Sequence, residues 1–407
     1  MRMFLLFLVV PFFFLKPALA AKVVFYLNFE GNSYHHNHGE YGKNSFKVET
    51  LKIGGKEVSI NKEFSPSETK KQFFLNVIEV PSGVYDKIGL NGKVYILSSP
   101  LSLKENSVKA VFFKLHEGQI QVFPQKLLSV SKKQFFSVPS INALGVIDED
   151  SGFVSGFIGL QSAPYGVAAF GDKVYTGLEN GQLVELDRES GFVSNIISLT
   201  SVSLENKLLH SDRKIYVPEK NNNIVYYFCP ETGARFTVSL TGKVKDGYYM
   251  EKTGYLSVLT KTPDTVYLLS GGSGKIISSV SIPGDAVSVT GDENAVYVAD
   301  RKGKTIYRYN LTSKSLEGFP LYEEPLIIRN FGDFLFLASK GNLLVLNKMG
   351  LTPYVIFNIK NVREMSFSQD KRKVFVFTED KNYFVINLDS LYVEFSGDTP
   401  DQIFQAD

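Results

Sequence analysis

The sequence predicts an all-β chain, and three observations carry that prediction. Val, Ile, Phe and Tyr crowd into short runs cut by Gly, Asn, Asp and Pro, and no long stretch has helical period. The stretch DEDSGFVS at 148–155 returns as DRESGFVS at 187–194, and degenerate equivalents continue down the chain. The region before these repeats lacks them but alternates strongly between apolar and polar residues. Together these predict an N-terminal β-sandwich (21–130) followed by a seven-bladed β-propeller (131–407) closed by the C-terminal strand, with a signal peptide at 1–20.

The leader reads MRMFLLFLVVPFFFLKPALA. Arg2 is a positive n-region, Phe4 to Leu15 an apolar h-region, and Ala18-Leu19-Ala20 a small-x-small cleavage site, which puts the cut between Ala20 and Ala21. An uncleaved anchor is the competing reading. It would need about 20 apolar residues, and Pro11, Lys16 and Pro17 interrupt this run. No Cys follows the h-region, so no lipid attachment site is expected, and no later segment is apolar enough to span a membrane. The expected location is the periplasm, the cell surface or the extracellular space.

The chain carries 44 Lys and Arg against 42 Asp and Glu. Loss of Arg2 and Lys16 brings the two signs level, so nucleic acid and anionic membranes find no electrostatic support. Cys229 is the one cysteine. No intrachain disulfide can form, and its expected role is a small buried side chain at the end of IVYYFC.

Eight strands are expected in the first domain: 22–29, 45–55, 56–61, 72–80, 84–90, 93–99, 108–115 and 119–124. Eight alternating strands joined by hairpin turns in so short a region suggest a sandwich. VETLKIGGKEVSI and EVPSGVYDKIGL resemble exported bacterial β-sandwich domains of unknown function. The junction at 125–133, QKLLSVSKK, has no Pro/Gly-rich linker, so the two domains are expected to pack together.

From Asp148 onward, equivalent positions fall at Asp187, Cys229, Ser270, Asn310, Asn347 and Asn387, about 40 residues apart. Each follows an apolar strand and opens a turn such as DEDSG, DRESG, CPETG or SGGSG. Asp or Asn at the start of such a turn can hydrogen-bond its own backbone ahead, and Gly at the end accepts positive φ. Another strand lies about 12 residues before each marker and, in six repeats, a fourth precedes it. Four strands in each repeat of about 40 residues is a propeller blade. The first repeat lacks its innermost strand, and DQIFQAD at 401–407 is a spare one. It should pair beside QFFSVPS (134–140) and close the ring.

The blades resemble YVTN-type seven-bladed propellers of exported and surface proteins. The likeness rests on SAPYGVAAFGDKVYTG, NAVYVADRKGKTIYRYN and the SG or TG turns, over about 135–407. It implies a scaffold, a binding protein or a lactonase-like enzyme. Trp is absent, so the Trp-dependent signatures of quinoprotein propellers, sialidase Asp-boxes and Trp-Asp repeats are not present in usual form.

The densest polar chemistry is NSYHHNHGEYG at 32–42. His35, His36, His38 and Glu40 could converge on Zn or Cu, with His116 as a distant further ligand. The competing reading is a solvated loop, favoured because protein metal sites draw ligands from several segments. Asp148 and Asp150 hint at a calcium loop, but DRESG loses the middle Asp and the turn reading prevails. His210 falls between the first two strands of its blade, on the side away from the loops that join blades. The basic loop ADRKGKT at 299–305 reads as a solvated turn. No Ser–His–Asp set, phosphate loop or paired carboxylates stand out, so no catalytic residue is assigned.

The leading expectation is therefore a non-enzymatic propeller whose loop face engages a protein or other macromolecule. One alternative is a lactonase-like or metal-assisted hydrolase with acids at the channel mouth, for which Asp246, Asp285 and Glu364 are the nearest candidates. The other is a periplasmic metal-binding protein acting through the histidine cluster.

Overall fold

The computed structural model describes residues 20–29, 45–116, 119–200, 207–211, 214–219 and 223–407. The first eight strands are β1 (Ala21–Phe29), β2 (Phe46–Ile53), β3 (Lys56–Phe64), β4 (Lys70–Val80), β5 (Gly83–Leu90), β6 (Lys93–Leu103), β7 (Val108–His116) and β8 (Gln119–Pro124). They form two layers, ordered β4-β1-β7-β8 and β3-β2-β5-β6. β1 runs antiparallel to β4 and parallel to β7.

Period-two alternation explains the core between the layers. Val23, Phe25 and Leu27 of β1 join Val111 and Phe113 of β7, and they meet Val48, Leu51 and Ile53 of β2 and Leu97, Leu101 and Leu103 of β6. The intervening residues of β1, Val24 and Tyr26, point the other way into a second core. That second burial is why VVFYL reads as a continuous apolar run rather than an alternating one.

The rest of the chain folds into successive antiparallel meanders. They occupy 133–159, 164–198, 209–239, 243–281, 286–320, 325–357 and 362–398. Each has four strands except the first, which has three. The strand positions follow the markers read from the sequence. The recurring turn has its expected chemistry: Asp148 accepts the Asp150 N–H at 3.1 Å and the Ser151 hydroxyl at 2.8 Å. Asp187 does the same with Ser190, and Gly152 and Gly191 hold φ of +77° and +71°.

The tail supplies the partner missing from sheet 133–159. Phe136 and Ala406 form a β-bridge. Phe135 N–H bonds the Asp407 carbonyl at 3.0 Å and receives the reverse bond at 2.9 Å. Ile403 and Ala406 sink into the second core beside Phe136 and Phe377.

Cys229 departs from expectation. It is half-buried, because it occupies the opening position of its turn and closes that turn through the Ala234 carbonyl and the Gly233 N–H. A hydrogen bond from Thr232 lowers its thiol pKa.

The two halves share one body. The outer strand of the last sheet, Tyr392–Asp398, pairs parallel with β4, so eight strands run without a break from 362–367 to β8. Gln72 is the buried pin of this seam. Its Nε2 donates to the Val154 carbonyl at 3.1 Å, its Oε1 accepts the Val154 N–H at 2.8 Å, and the Tyr383 hydroxyl stands 2.9 Å away. Gln125, in the junction, likewise bonds Phe157 through both ends of its amide. Tyr26, Phe112, Phe136, Phe157, Phe377, Tyr383 and Phe395 fill the space between. The junction is packed, as the absence of a flexible linker predicts.

Candidate functional site

Because each meander reverses at every turn, its turns alternate between two faces. The linkers joining one sheet to the next share a face with the second-to-third turns. First-to-second and third-to-fourth turns lie opposite. The innermost strands line what lies between the two faces.

That lining is occupied by charge. Asp246 (strand Lys243–Met250), Ser288 (Ala286–Gly291), Arg329 (Pro325–Phe331) and Glu364 (Val362–Phe367) come from consecutive inner strands. Arg329 Nη1 lies 3.1 Å from Asp246 Oδ2 and 2.9 Å from Ser288 Oγ, and its Nη2 lies 3.5 Å from Glu364. Ser288 donates its hydroxyl to Asp246 at 2.5 Å, and Lys207 pairs with Glu364 from the far side. Burial opposes the charge on Asp246, but Arg329 and Lys207 outweigh it and hold the carboxyl below its ordinary range. Burial likewise works against Arg329, and Asp246 and Glu364 reverse the effect and raise it. Two cations and two anions cancel, which is the condition for burying such groups at tolerable cost.

The opposite end of the channel is also spanned. Lys371, in the last sheet, meets Glu251, three sheets back, at 3.2 Å. His210 Nε2 stands 3.1 Å from Asp407 Oδ2, which also accepts the Ala169 N–H at 2.7 Å. Burial pulls the imidazole down, but Asp407 outweighs it and the pKa is raised. The neighbouring Ser211 hydroxyl accepts the Lys214 N–H at 3.0 Å.

Of the three acids considered for a hydrolytic centre, Asp246 and Glu364 are bridged by Arg329, and Lys207 acts on both. Asp285 lies apart, on the linker face, held by Lys261 and by Arg301 at 2.8 Å. Among the described residues no group of three His, Cys, Asp or Glu could hold a metal. His35, His36, His38 and Glu40 lie outside the described residues. His116 ends β7, one residue beyond Leu115, whose partner is Phe29. Near that end of the layers is a hollow of about 460 Å³ lined by Phe46, Leu90, Asn91, Tyr95 and Ile120. The Asp148 oxygens are spent on their own turn, which leaves the calcium pattern no role.

Several residues of this arrangement gave weak sequence signals. Arg329 stands in the apolar run PLIIRNF, and a cation inside an inner strand is itself a sign of a buried partner. Gln72 and Gln125 gave none, since the same residue type is common on surfaces.

No protein-family model matches the sequence, and no curated protein matches it. Solved structures do match. A chain of the mitotic checkpoint complex superposes with a TM-score of 0.53 at 14% identity, over 60% of this chain and 81% of that one. The WD40 repeats of RRP9 give 0.53 at 9%, over 61% and 84%. The fold is a β-propeller. Dihydro-heme d1 dehydrogenase NirN in complex with DHE gives 0.50 at 12%, over 68% and 66%. At these identities the likeness is one of fold, so a function for this propeller has to be argued from its own residues.

Proposed function

We propose that the protein is an exported, non-enzymatic propeller of seven blades, braced by an N-terminal β-sandwich, whose linker face engages a protein partner. The single observation that carries this reading is the state of the channel. In propeller enzymes the reacting groups need access to substrate, whereas here the inner acids are neutralised by Arg329 and Lys207. The meander count, the spare tail strand and the YVTN-like repeats support seven blades. The leader supports export to the periplasm or cell surface.

The test is site-specific photo-crosslinking in the native envelope. A photoreactive residue at Lys360, exposed on a linker, should yield a discrete adduct. One at Met349, exposed on the opposite face, should not. Adducts from Met349 alone would overturn the assignment of the face. Turnover of lactones or phosphoesters that survives re-purification would overturn the non-enzymatic reading.

A further inference from the structure

We propose that the sector of the linker face around Tyr322 docks an acidic segment of a partner protein; this rests on the linker face being the binding face. Tyr322 is fully exposed, at 101% of its reference area. It sits in the linker after sheet 286–320, where the Leu321 N–H bonds the Lys304 carbonyl at 2.6 Å. That bond holds the turn Arg301–Lys304 against the backbone that carries Tyr322. An exposed Tyr presents a large, rigid contact surface with a polar tip, the kind of side chain that anchors protein interfaces.

The surrounding charges are unequal in their freedom. The acids of this sector are already committed to the fold. Asp264 accepts the Ala286 N–H at 2.7 Å, and Asp300 accepts the Asp285 N–H at 2.7 Å. Asp285 is held by Lys261 and Arg301. Glu323 takes the Ser339 hydroxyl and the Asn342 amide, and Glu324 pairs with Lys340 at 2.9 Å.

The lysines are not committed in the same way. Lys245, Lys302 and Lys304 are exposed, and among the described residues none of them forms an ion pair. Desolvation lowers the Lys245 pKa, and repulsion from Lys261 and Arg301 adds to it against a smaller opposing pull from Asp264 and Asp246. Like charges held together in this way are relieved by an incoming anion.

The acids also decide which anion fits. Glu323 and Glu324 directly follow Tyr322 in sequence and would repel a regular ladder of phosphates. Discrete carboxylates on a peptide can reach the lysines and avoid them. A nucleic acid is therefore the disfavoured occupant.

The experiment is fluorescence anisotropy with the intact mature protein. The probes are a labelled Glu-rich peptide with one central aromatic residue, a Lys-rich peptide of equal length and a single-stranded oligonucleotide. The Glu-rich peptide should bind, and several-fold more weakly at 300 mM than at 30 mM salt, because exposed charges are screened. Lys302→Glu with Lys304→Glu should weaken it at least tenfold, and Tyr322→Ser several-fold. Lys275→Glu, a single charge reversal at an exposed site on the opposite face, should change nothing. Equal loss in Lys275→Glu, stronger binding of the oligonucleotide, or no binding of the acidic peptide would each overturn the proposal. Crosslinking at Lys360 without acidic-peptide binding would reject this inference alone and leave the face assignment standing.

Discussion

Gln405 is the point at which the closing tail can be tested most sharply. It is only 9% exposed, and its side chain ties the tail to two neighbouring sheets. Oε1 accepts the Val167 N–H at 3.1 Å and the Leu208 N–H at 2.8 Å, while Nε2 donates to the Leu208 carbonyl at 2.8 Å. Gln405→Ala removes three hydrogen bonds and leaves two N–H groups and one carbonyl without a partner inside the ring. A stranded buried polar group costs roughly 1–3 kcal/mol, and water entering the vacated space recovers part of it. The expected loss is about 2–4 kcal/mol. With an unfolding entropy of about 2.1 cal/mol/K per residue, that lowers Tm by about 3–5 °C. The assay is scanning calorimetry beside Gln402→Ala, a control at an exposed tail residue that bonds Arg363 and the Glu379 carbonyl. Deletion of 401–407 should cost more than either, since it also removes Ile403, Ala406 and the bridge to Phe136. Equal melting of Gln405→Ala and Gln402→Ala would refute the idea that this side chain pins the ring.

Four further outcomes follow from the same contacts. Burial, against the opposing Gln369 N–H, raises the Glu149 carboxyl from 4.5 to about 7; a raised acid costs the folded state as the unfolded chain ionises first, so stability should fall between pH 5 and 8. Glu149→Gln should flatten that fall, gaining roughly 2 kcal/mol at pH 8 once partial hydration is allowed for, and parallel urea curves for the two proteins would contradict it. Arg329→Met strands the buried Asp246 carboxylate and leaves Glu364 to Lys207 alone, and should cost about 3–5 kcal/mol; adding Asp246→Asn should return much of it, and no recovery in denaturant midpoint would count against the network. Tyr383→Phe removes the hydroxyl that reaches Gln72 and the Gly152 carbonyl and should cost about 1–2 kcal/mol, whereas an unchanged midpoint would mean the seam does not depend on it. Calorimetric titration with Cu²⁺ or Zn²⁺ should show weak binding that fades below about pH 6, as imidazoles protonate, and that is lost in the His35→Ala, His36→Ala, His38→Ala triple variant; equal heats from both proteins would assign the cluster to a solvated loop.

Much of the fold was legible because its signals are local. The Asp148 and Asp187 turns carry their own hydrogen-bond chemistry, so the repeat could be followed once one copy was understood. The spare strand at 401–407 could be matched to the incomplete first sheet by counting. The continuous pairing of Tyr392–Asp398 with β4 could not be read, because no residue at either edge differs from an ordinary strand. Nor could the grouping of Lys207, Asp246, Arg329 and Glu364, which spans five sheets and depends on ring closure. Asp285 shows the converse: its place next to an inner strand suggested the channel mouth, yet Lys261 and Arg301 hold it on the outer loops.

The central claim is that this propeller works through its linker face and not through its channel. The direct measurement is the dissociation constant of the partner captured by crosslinking at Lys360. It should be taken for wild type, for the channel variant Asp246→Asn, Arg329→Met, Glu364→Gln, and for the face variant Lys302→Glu, Lys304→Glu, Tyr322→Ser. The account predicts an unchanged constant for the channel variant and a weakening of at least tenfold for the face variant. Loss of binding in the channel variant, with the face variant unaffected and both folded, would contradict it.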